Sequence, residues 1–310
     1  MTPAITVVLP TFRRPDALTR LLGSLAGQAA PGGPWDLVVV DNDDRPGAEV
    51  TLEPMRPSLP PVLLVREPRR GAAHARNAGI AAARGKIIAF VDDDVVPGPE
   101  WLRNLVAPIV AGRCEGTGGR VQLDPTTRLP PWLGEGWTGY LSDYDRGDEE
   151  RELGTDDYVL TACAAFRTDL VRDVGGFDPV LGPRPNVPMV NDDIDLCRRV
   201  RAGGGRIRYV PGARVVHELP AERLTRGYLL RRTYAQGRSD WLLDRDENGS
   251  RPLGGARGIL IHLAHLLADR TREGLWHPDV AMGAALSLSQ TAGFLREAFA
   301  AKRRLSRRDV

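Results

Sequence analysis

GAAHARNAGIAAARGKIIAFVDDDV, residues 71–95, is the stretch on which the fold turns. Residues 72–84 are Ala-rich and predict a helix closed by Gly85. Lys86–Val91 predicts a buried strand, because Ile87-Ile88-Ala89-Phe90-Val91 has no polar break. Asp92, Asp93 and Asp94 follow at once. Carboxylates this close repel and raise one another's pKa unless positive charge sits among them. Three of them ending a buried strand imply a metal ion, a helix end or water at that place.

Working outward, Ile5–Leu9 predicts a first strand ended by Pro10, then a helix from Pro15-Asp16 with Leu18, Leu21, Leu22 and Leu25 on one face. Leu37–Val40 predicts a second strand, ended by Asp41-Asn42-Asp43-Asp44. Residues 45–61 read as irregular, and Val62–Val65 as a third strand. Alternating strands and helices specify a mostly parallel α/β sheet flanked by helices. Ligands bind such sheets outside the carboxyl ends of the strands. Pro10-Thr11, Asp41 and Asp92–Asp94 all fall there, so one crevice is expected. Further on, Pro97–Ala111 predicts a helix, Gly116–Val121 and Val159–Phe166 strands, Thr168–Val174 and Asn191–Ala202 helices. Ile207–Val210 and Arg214–Val216 predict two short strands leading to His217. Residues 132–157 read as a surface excursion. Beyond 220 the chain turns helical, over 223–247 and in two stretches of 256–304 that break near Trp276-His277-Pro278.

The net charge of +2 excludes a global bias toward nucleic acid, so no nucleic-acid partner is expected. Cys114, Cys163 and Cys197 have no CxxC spacing, which argues against a disulfide framework or zinc site and fits a reducing cytoplasm. No signal peptide and no run of 18 apolar residues is present, so a cytoplasmic protein without a membrane span is expected.

Taken in order, VVLPTFRRPDAL (7–18), VVVDNDD (38–44), the 71–95 stretch, DVGGFDP (173–179) and NDDIDLCRRVRAGG (191–204) resemble the family 2 glycosyltransferases. These are inverting enzymes with a Rossmann-like nucleotide-sugar-binding fold called GT-A. The resemblance implies a GT-A catalytic domain over 1–220 and a helical C-terminal extension over 221–310. Within the first, about 1–112 would bind the nucleotide sugar and about 113–220 the acceptor.

The resemblance also implies roles. Asp92 would face the nucleotide ribose, with Asp93 beside it in the donor site. Asp94 would bind a divalent cation, Mn²⁺ or Mg²⁺, with His217 as a second ligand. Asp41 would accept a hydrogen bond from the base, in a pocket lined by Pro10, Thr11 and Arg13. Arg76 would reach toward the nucleotide, helped by close backbone approach at Gly71. Asp193 would be the catalytic base, with Asp192 contacting the acceptor or orienting the base. Each residue also has a structural reading: an acidic turn for Asp92–Asp94, a turn start for Asp41, a solvated charge for Arg76, a structural histidine for His217. Acids in a helix's first turn, with Asn191 as N-cap, account for Asp192-Asp193 as well.

The implied reaction is inverting, metal-dependent transfer from a nucleotide sugar to a hydroxyl of a glycan, lipid-linked or secondary-metabolite acceptor. UDP-sugars are the commonest donors for this pattern; dTDP- and GDP-sugars stay open. A silent nucleotide-sugar- or glycan-binding scaffold is the alternative. A nucleotidyltransferase is disfavoured, because Pro10-Thr11-Phe12-Arg13-Arg14-Pro15 stands where its glycine-rich loop would be. Arg223, Arg226, Arg231 and Arg232 suggest a lid over the diphosphate, and Trp132, Trp137, Tyr140 and Tyr144 an acceptor pocket, a core or a dimer contact. The C-terminal helices, ending in Lys302-Arg303-Arg304 and Arg307-Arg308, are expected to pack on the catalytic domain, pair in a homodimer or rest on an anionic membrane.

Overall fold

The computed structural model of the chain describes residues 4–45, 47–183, 189–243 and 278–305. They form two compact units. The first draws on 1–125, 142–185 and 192–218, the second on 126–141, 186–191 and 219–310.

The first unit is a sheet with helices. Its strands are β1 (Ile5–Thr11), β2 (Trp35–Asp41), β3 (Val62–Arg66), β4 (Ile87–Phe90), β5 (Val95–Pro97), β6 (Gly116–Leu123), β7 (Arg151–Glu152), β8 (Ala164–Arg167) and β9 (Ile207–His217). They run in the order β3-β2-β1-β4-β8-β6-β9-β5, with β7 on β9. β3, β2, β1 and β4 are parallel. β8 is antiparallel to both β4 and β6. β6 and β9 are parallel, and β5 and β7 run antiparallel to β9. β1, β2 and β4 are buried almost throughout, as near-continuous apolar strands covered on both faces should be.

Pro10 does not end β1; the strand runs through it to Thr11. Val8 O accepts from Val91 N on the β4 side. Pro10 faces the same way two residues later, past the end of β4, where its missing N–H leaves no ladder bond unmade.

Helices α1 (Pro15–Ala26), α2 (Ala48–Leu52), α3 (Ala72–Ala82), α4 (Trp101–Val110), α5 (Thr168–Asp173) and α6 (Asp192–Ala202) complete the unit. α1 buries the expected Leu18, Leu21, Leu22 and Leu25. α4 starts later than expected, because 95–97 pairs with β9 as β5. A three-residue strand is too short to show a period. The expected strand 159–166 is a turn followed by β8. The two expected strands after 206 are one, β9, whose register against β6 shifts between Gly119 and Arg120 and bypasses 211–213. The irregular 45–61 holds α2 and a 3-10 turn, Glu53–Ser58.

Gly85 shows how tightly the turn from α3 into β4 is set. A Cβ there would lie 2.5 Å from Thr6 N and 2.6 Å from Ile5 C, both backbone atoms of the central strand. Its N–H donates to Thr6 Oγ1 at 2.9 Å. Gly85→Ala is expected to cost about 2–3 kcal/mol by overpacking, read as a lower urea midpoint at unchanged slope.

The second unit contains a 3-10 turn (Glu135–Leu141), α7 (Arg226–Leu243) and α8 (Pro278–Leu305). α7 and α8 are joined by an Arg238–Glu297 ion pair of 2.7 Å. Asp240 accepts from Asn191, Gln236 and Gln290 at 2.8–2.9 Å, and Gln290 accepts from Tyr140. Trp137 stacks on Tyr140, and Arg226 lies over Trp132. Tyr144 separates from these aromatics: it is buried in the first unit's core, its hydroxyl donating to Tyr158 O. Leu288, Leu295 and Phe299 of α8 are exposed. No helix among the described residues is long and apolar enough to cross a membrane. The expected helix at 256–275, Trp276-His277 and Arg307-Arg308 lie outside the described residues.

Candidate active site

The parallel strands β1 and β2 end side by side, Thr11 opposite Asp41. An open cleft lies beyond them, lined by Thr11, Arg13, Arg14, Asp41, Asp43 and the start of α2 among others. Pro10 is the half-buried strand residue behind Thr11. Asp41 is buried, and its carboxylate accepts from the backbone N–H groups of Asp43, Gly47 and Ala48 at 3.1–3.2 Å. Those bonds hold the loop that starts α2. They leave acceptor capacity, since a carboxylate offers about four lone-pair sites. Asn42 ties this loop to the head of α3: its amide donates to Glu67 O and Arg69 O and accepts from Gly71 N at 2.8 Å. Gly71 sits at φ 136°, a conformation only glycine adopts readily. Arg13, itself at φ 53°, forks onto both oxygens of Asp43 at 2.6 and 2.9 Å. That bond holds the Asp43 carboxyl well below the usual carboxylate range.

The aspartate run finds its positive charge in the protein. Arg14 Nη1 donates to Asp93 Oδ1 and to Asp94 Oδ2, both at 2.9 Å. Thr11 Oγ1 donates to Asp93 Oδ2 at 2.8 Å. Burial pushes the Asp93 carboxyl up, against the pull of Arg14. His217, buried at the end of β9, presents Nε2 3.6 Å from Asp94 Oδ2. The strands themselves make this juxtaposition, since Val95 pairs with His217 and Glu218 N donates to Asp94 O.

Arg76, 5% exposed on α3, joins the run to the acid pair. Its Nη2 donates to Asp92 Oδ1 at 2.8 Å and its Nη1 to Asp192 Oδ2 at 2.9 Å. Burial disfavours its charge, but Asp92, Asp192 and Asp193 outweigh that and hold it firmly protonated. Asp192 and Asp193 open α6. Asp193 Oδ1 accepts from Thr161 Oγ1 at 2.8 Å, and its Oδ2 from Thr161 N at 3.4 Å. One guanidinium faces three carboxylates here. Burial, and next the neighbouring Asp193, push Asp192 up to about 7 against the pull of Arg76. Burial raises Asp193 as well, opposed by Arg76 and Thr161. Asn191 does not present its side chain as the expected cap: it lies at φ 90°, its amide bonded to Gln236 and Asp240.

Asp41, Thr11 and Arg13 thus share one cleft with Arg14, while Asp92, Arg76, Asp192 and Asp193 form one chain of contacts, and Asp94 meets His217. Arg223, Arg226, Arg231 and Arg232 belong to the second unit. Arg14 and Thr161 carried no sequence signal of their own. Arg14 reads as the twin of Arg13, and Thr161 meets Asp193 only through folding.

A carboxylate oxygen and an imidazole nitrogen facing one another suit a divalent cation whose remaining positions are filled by water or phosphate oxygens. Among the described residues no group of three or more His, Cys, Asp or Glu is arranged to hold a metal. The three cysteines are free and buried.

The likeness to known proteins is broad. The pre-mycofactocin glycosyltransferase of Mycobacterium tuberculosis is 30% identical over 272 residues, covering 83% of this chain and 51% of the relative, so the chain spans about half its length. The succinoglycan biosynthesis protein ExoM of Rhizobium meliloti is 28% identical over 74% of this chain and 71% of its own. In three dimensions a mannosyltransferase of Pyrobaculum calidifontis, solved with GDP-Man and Mn²⁺, superposes with a TM-score of 0.55 at 22% identity, covering 98% of this chain and 87% of the other. S. aureus TarS gives 0.54 at 18% identity, over 77% of this chain and 42% of the other. Residues 158–299 match glycosyl transferase family group 2. Residues 6–175, more than half of the chain, match glycosyl transferase family 2, and on that match and this architecture the chain belongs to that family, built on its GT-A fold.

Proposed function

We propose that the protein transfers a sugar from a nucleotide-sugar donor to an acceptor hydroxyl with inversion, assisted by a divalent cation. The observation that carries this reading is Arg76: one buried guanidinium ties the aspartate that ends β4 to the acid pair that opens α6. Donor-side and acceptor-side carboxylates thereby stand in one site. That several solved relatives of the fold hold UDP, UDP-GlcNAc or GDP-Man supports a nucleotide-sugar donor.

Asp193 takes the proton from the acceptor hydroxyl. Burial raises its pKa, which makes it a stronger base than a surface aspartate. Thr161 fixes its orientation from two donors. The hydroxyl oxygen attacks the anomeric carbon from the side opposite the departing diphosphate, so the centre inverts and no side-chain nucleophile is required. Asp94 and His217 would hold the cation, which supplies charge neutralisation on the leaving diphosphate. Thr11, Arg13 and Asp41 line the cleft proposed for the nucleotide, and Asp92 faces its ribose.

Thermal unfolding with UDP, GDP or dTDP, each with Mn²⁺, Mg²⁺ or EDTA, tests this. A cation-dependent rise with one nucleotide is expected by mass action, about 2.7 kcal/mol of added stability at 100 times the Kd. A flat response to every nucleotide with cation present overturns the reading.

A further inference from the structure

We propose that Arg14 is a resident counter-ion of the cation site: it competes with the divalent cation for Asp94 Oδ2 and, once displaced, pairs with the diphosphate in the adjoining cleft. This rests on the proposed cation role of Asp94. Three observations carry it.

The first is the shared atom. Arg14 Nη1 lies 2.9 Å from Asp94 Oδ2, and His217 Nε2 lies 3.6 Å from that same oxygen. A cation bound between Asp94 and His217 would use the oxygen that Arg14 occupies, and two positive charges at one carboxylate oxygen repel. The second is unequal exposure. The side chains of Asp93 and Asp94 are 8% and 15% exposed, that of Arg14 41%. The carboxylates sit inside the fold while the guanidinium that pairs with them borders solvent, so displacing it does not require the fold to open. The backbone beneath it is fixed, since Arg14 precedes Pro15 at the head of α1. The third is position. Arg14 lines the cleft together with Thr11, Arg13 and Asp41. A guanidinium leaving Asp94 faces the space proposed for the donor's phosphates, which it suits by its fork of donors.

The arrangement keeps Asp93 and Asp94 from standing as bare buried carboxylates, which is costly. It also couples the ligands: the cation frees Arg14 for the diphosphate, and the diphosphate draws Arg14 off Asp94, so each strengthens the other's binding.

The test is isothermal titration of Mn²⁺ alone into the full chain and into Arg14→Gln, Arg14→Lys and Asp94→Asn. Arg14→Gln is expected to bind Mn²⁺ roughly three- to tenfold more tightly than wild type, the worth of one charge-assisted contact at a partly exposed site. Arg14→Lys, which keeps a charge without the fork, should fall between. At saturating Mn²⁺, Arg14→Gln should bind UDP or GDP more weakly, and the gain in nucleotide affinity on adding Mn²⁺ should shrink. Unchanged or weaker Mn²⁺ binding in Arg14→Gln, with thermal unfolding still cooperative, overturns the proposal. If Arg14→Gln does not fold, Mn²⁺ affinity in Arg14→Lys equal to wild type overturns it instead. Asp94→Asn separates the two levels. Loss of Mn²⁺ binding there, together with no gain in Arg14→Gln, sinks only the competition. Unaltered Mn²⁺ binding in Asp94→Asn removes the cation site and the proposal with it.

Discussion

Asp193→Asn is expected to abolish sugar transfer and to leave donor binding in place. The amide keeps the shape of the carboxylate and can still accept from Thr161, so the head of α6 should hold. What the variant would lose is the proposed proton acceptor, and removal of a positioned general base typically lowers turnover about 10²–10⁴-fold. The ground-state contacts proposed for the nucleotide lie on Thr11, Arg13, Asp41 and Asp92, none of which touches Asp193 through a hydrogen bond. The variant should therefore show wild-type stabilisation by the nucleoside diphosphate and a collapsed rate of product formation. Transfer within a few-fold of wild type assigns the base elsewhere. The wild-type rate should also fall on the acid side, because a base must be ionised and burial raises the pKa of Asp193.

The second large effect concerns stability. Arg76→Met is expected to destabilise the fold by about 3–5 kcal/mol, the usual result of removing one partner from a buried ion network. Asp192 is 4% exposed and would keep its burial but lose the guanidinium at 2.9 Å. The deficit carries a pH signature. In the native protein Asp192 is raised from 3.8 to about 7. A carboxyl raised on folding contributes stability that is complete below its unfolded pKa and lost as pH rises through its folded value. Arg76 limits that loss by favouring the ionised form. Without it the folded pKa climbs further, so ionising Asp192 costs more. The urea midpoint of the variant should thus fall further below wild type at pH 8 than at pH 5. A deficit that is the same at both pH values would mean that Arg76 acts by packing, against Phe177 for instance, over whose ring its guanidinium lies at 5.5 Å.

Much of this was legible in the chain itself. The apolar runs at 5–9, 37–40 and 87–91 and the Leu face of 18–25 mark elements whose period is local and whose burial is complete, so hydrophobic pattern alone predicts β1, β2, β4 and α1. The parallel order then places Thr11, Asp41 and Asp92–Asp94 at one end of the sheet, because alternating strands and helices leave little other choice. The ordered motifs likewise sufficed for the family. The second half of the sheet was harder to read. β5 and β7 have three and two residues, and they exist because β9 offers them an edge.

Tertiary structure alone decided how charge is settled in the site. Composition shows a run of three aspartates and a pair, with arginines scattered through the chain. Only folding selects Arg14 for Asp93 and Asp94, Arg76 for Asp92 and Asp192, and Thr161 for Asp193. Side-chain ion pairs depend on distances of about 3 Å between residues far apart in sequence, and no local periodicity encodes them. Hydrophobic patterning sets which end of which strand carries a carboxylate; packing of α1 and α3 against that sheet sets which cation reaches it.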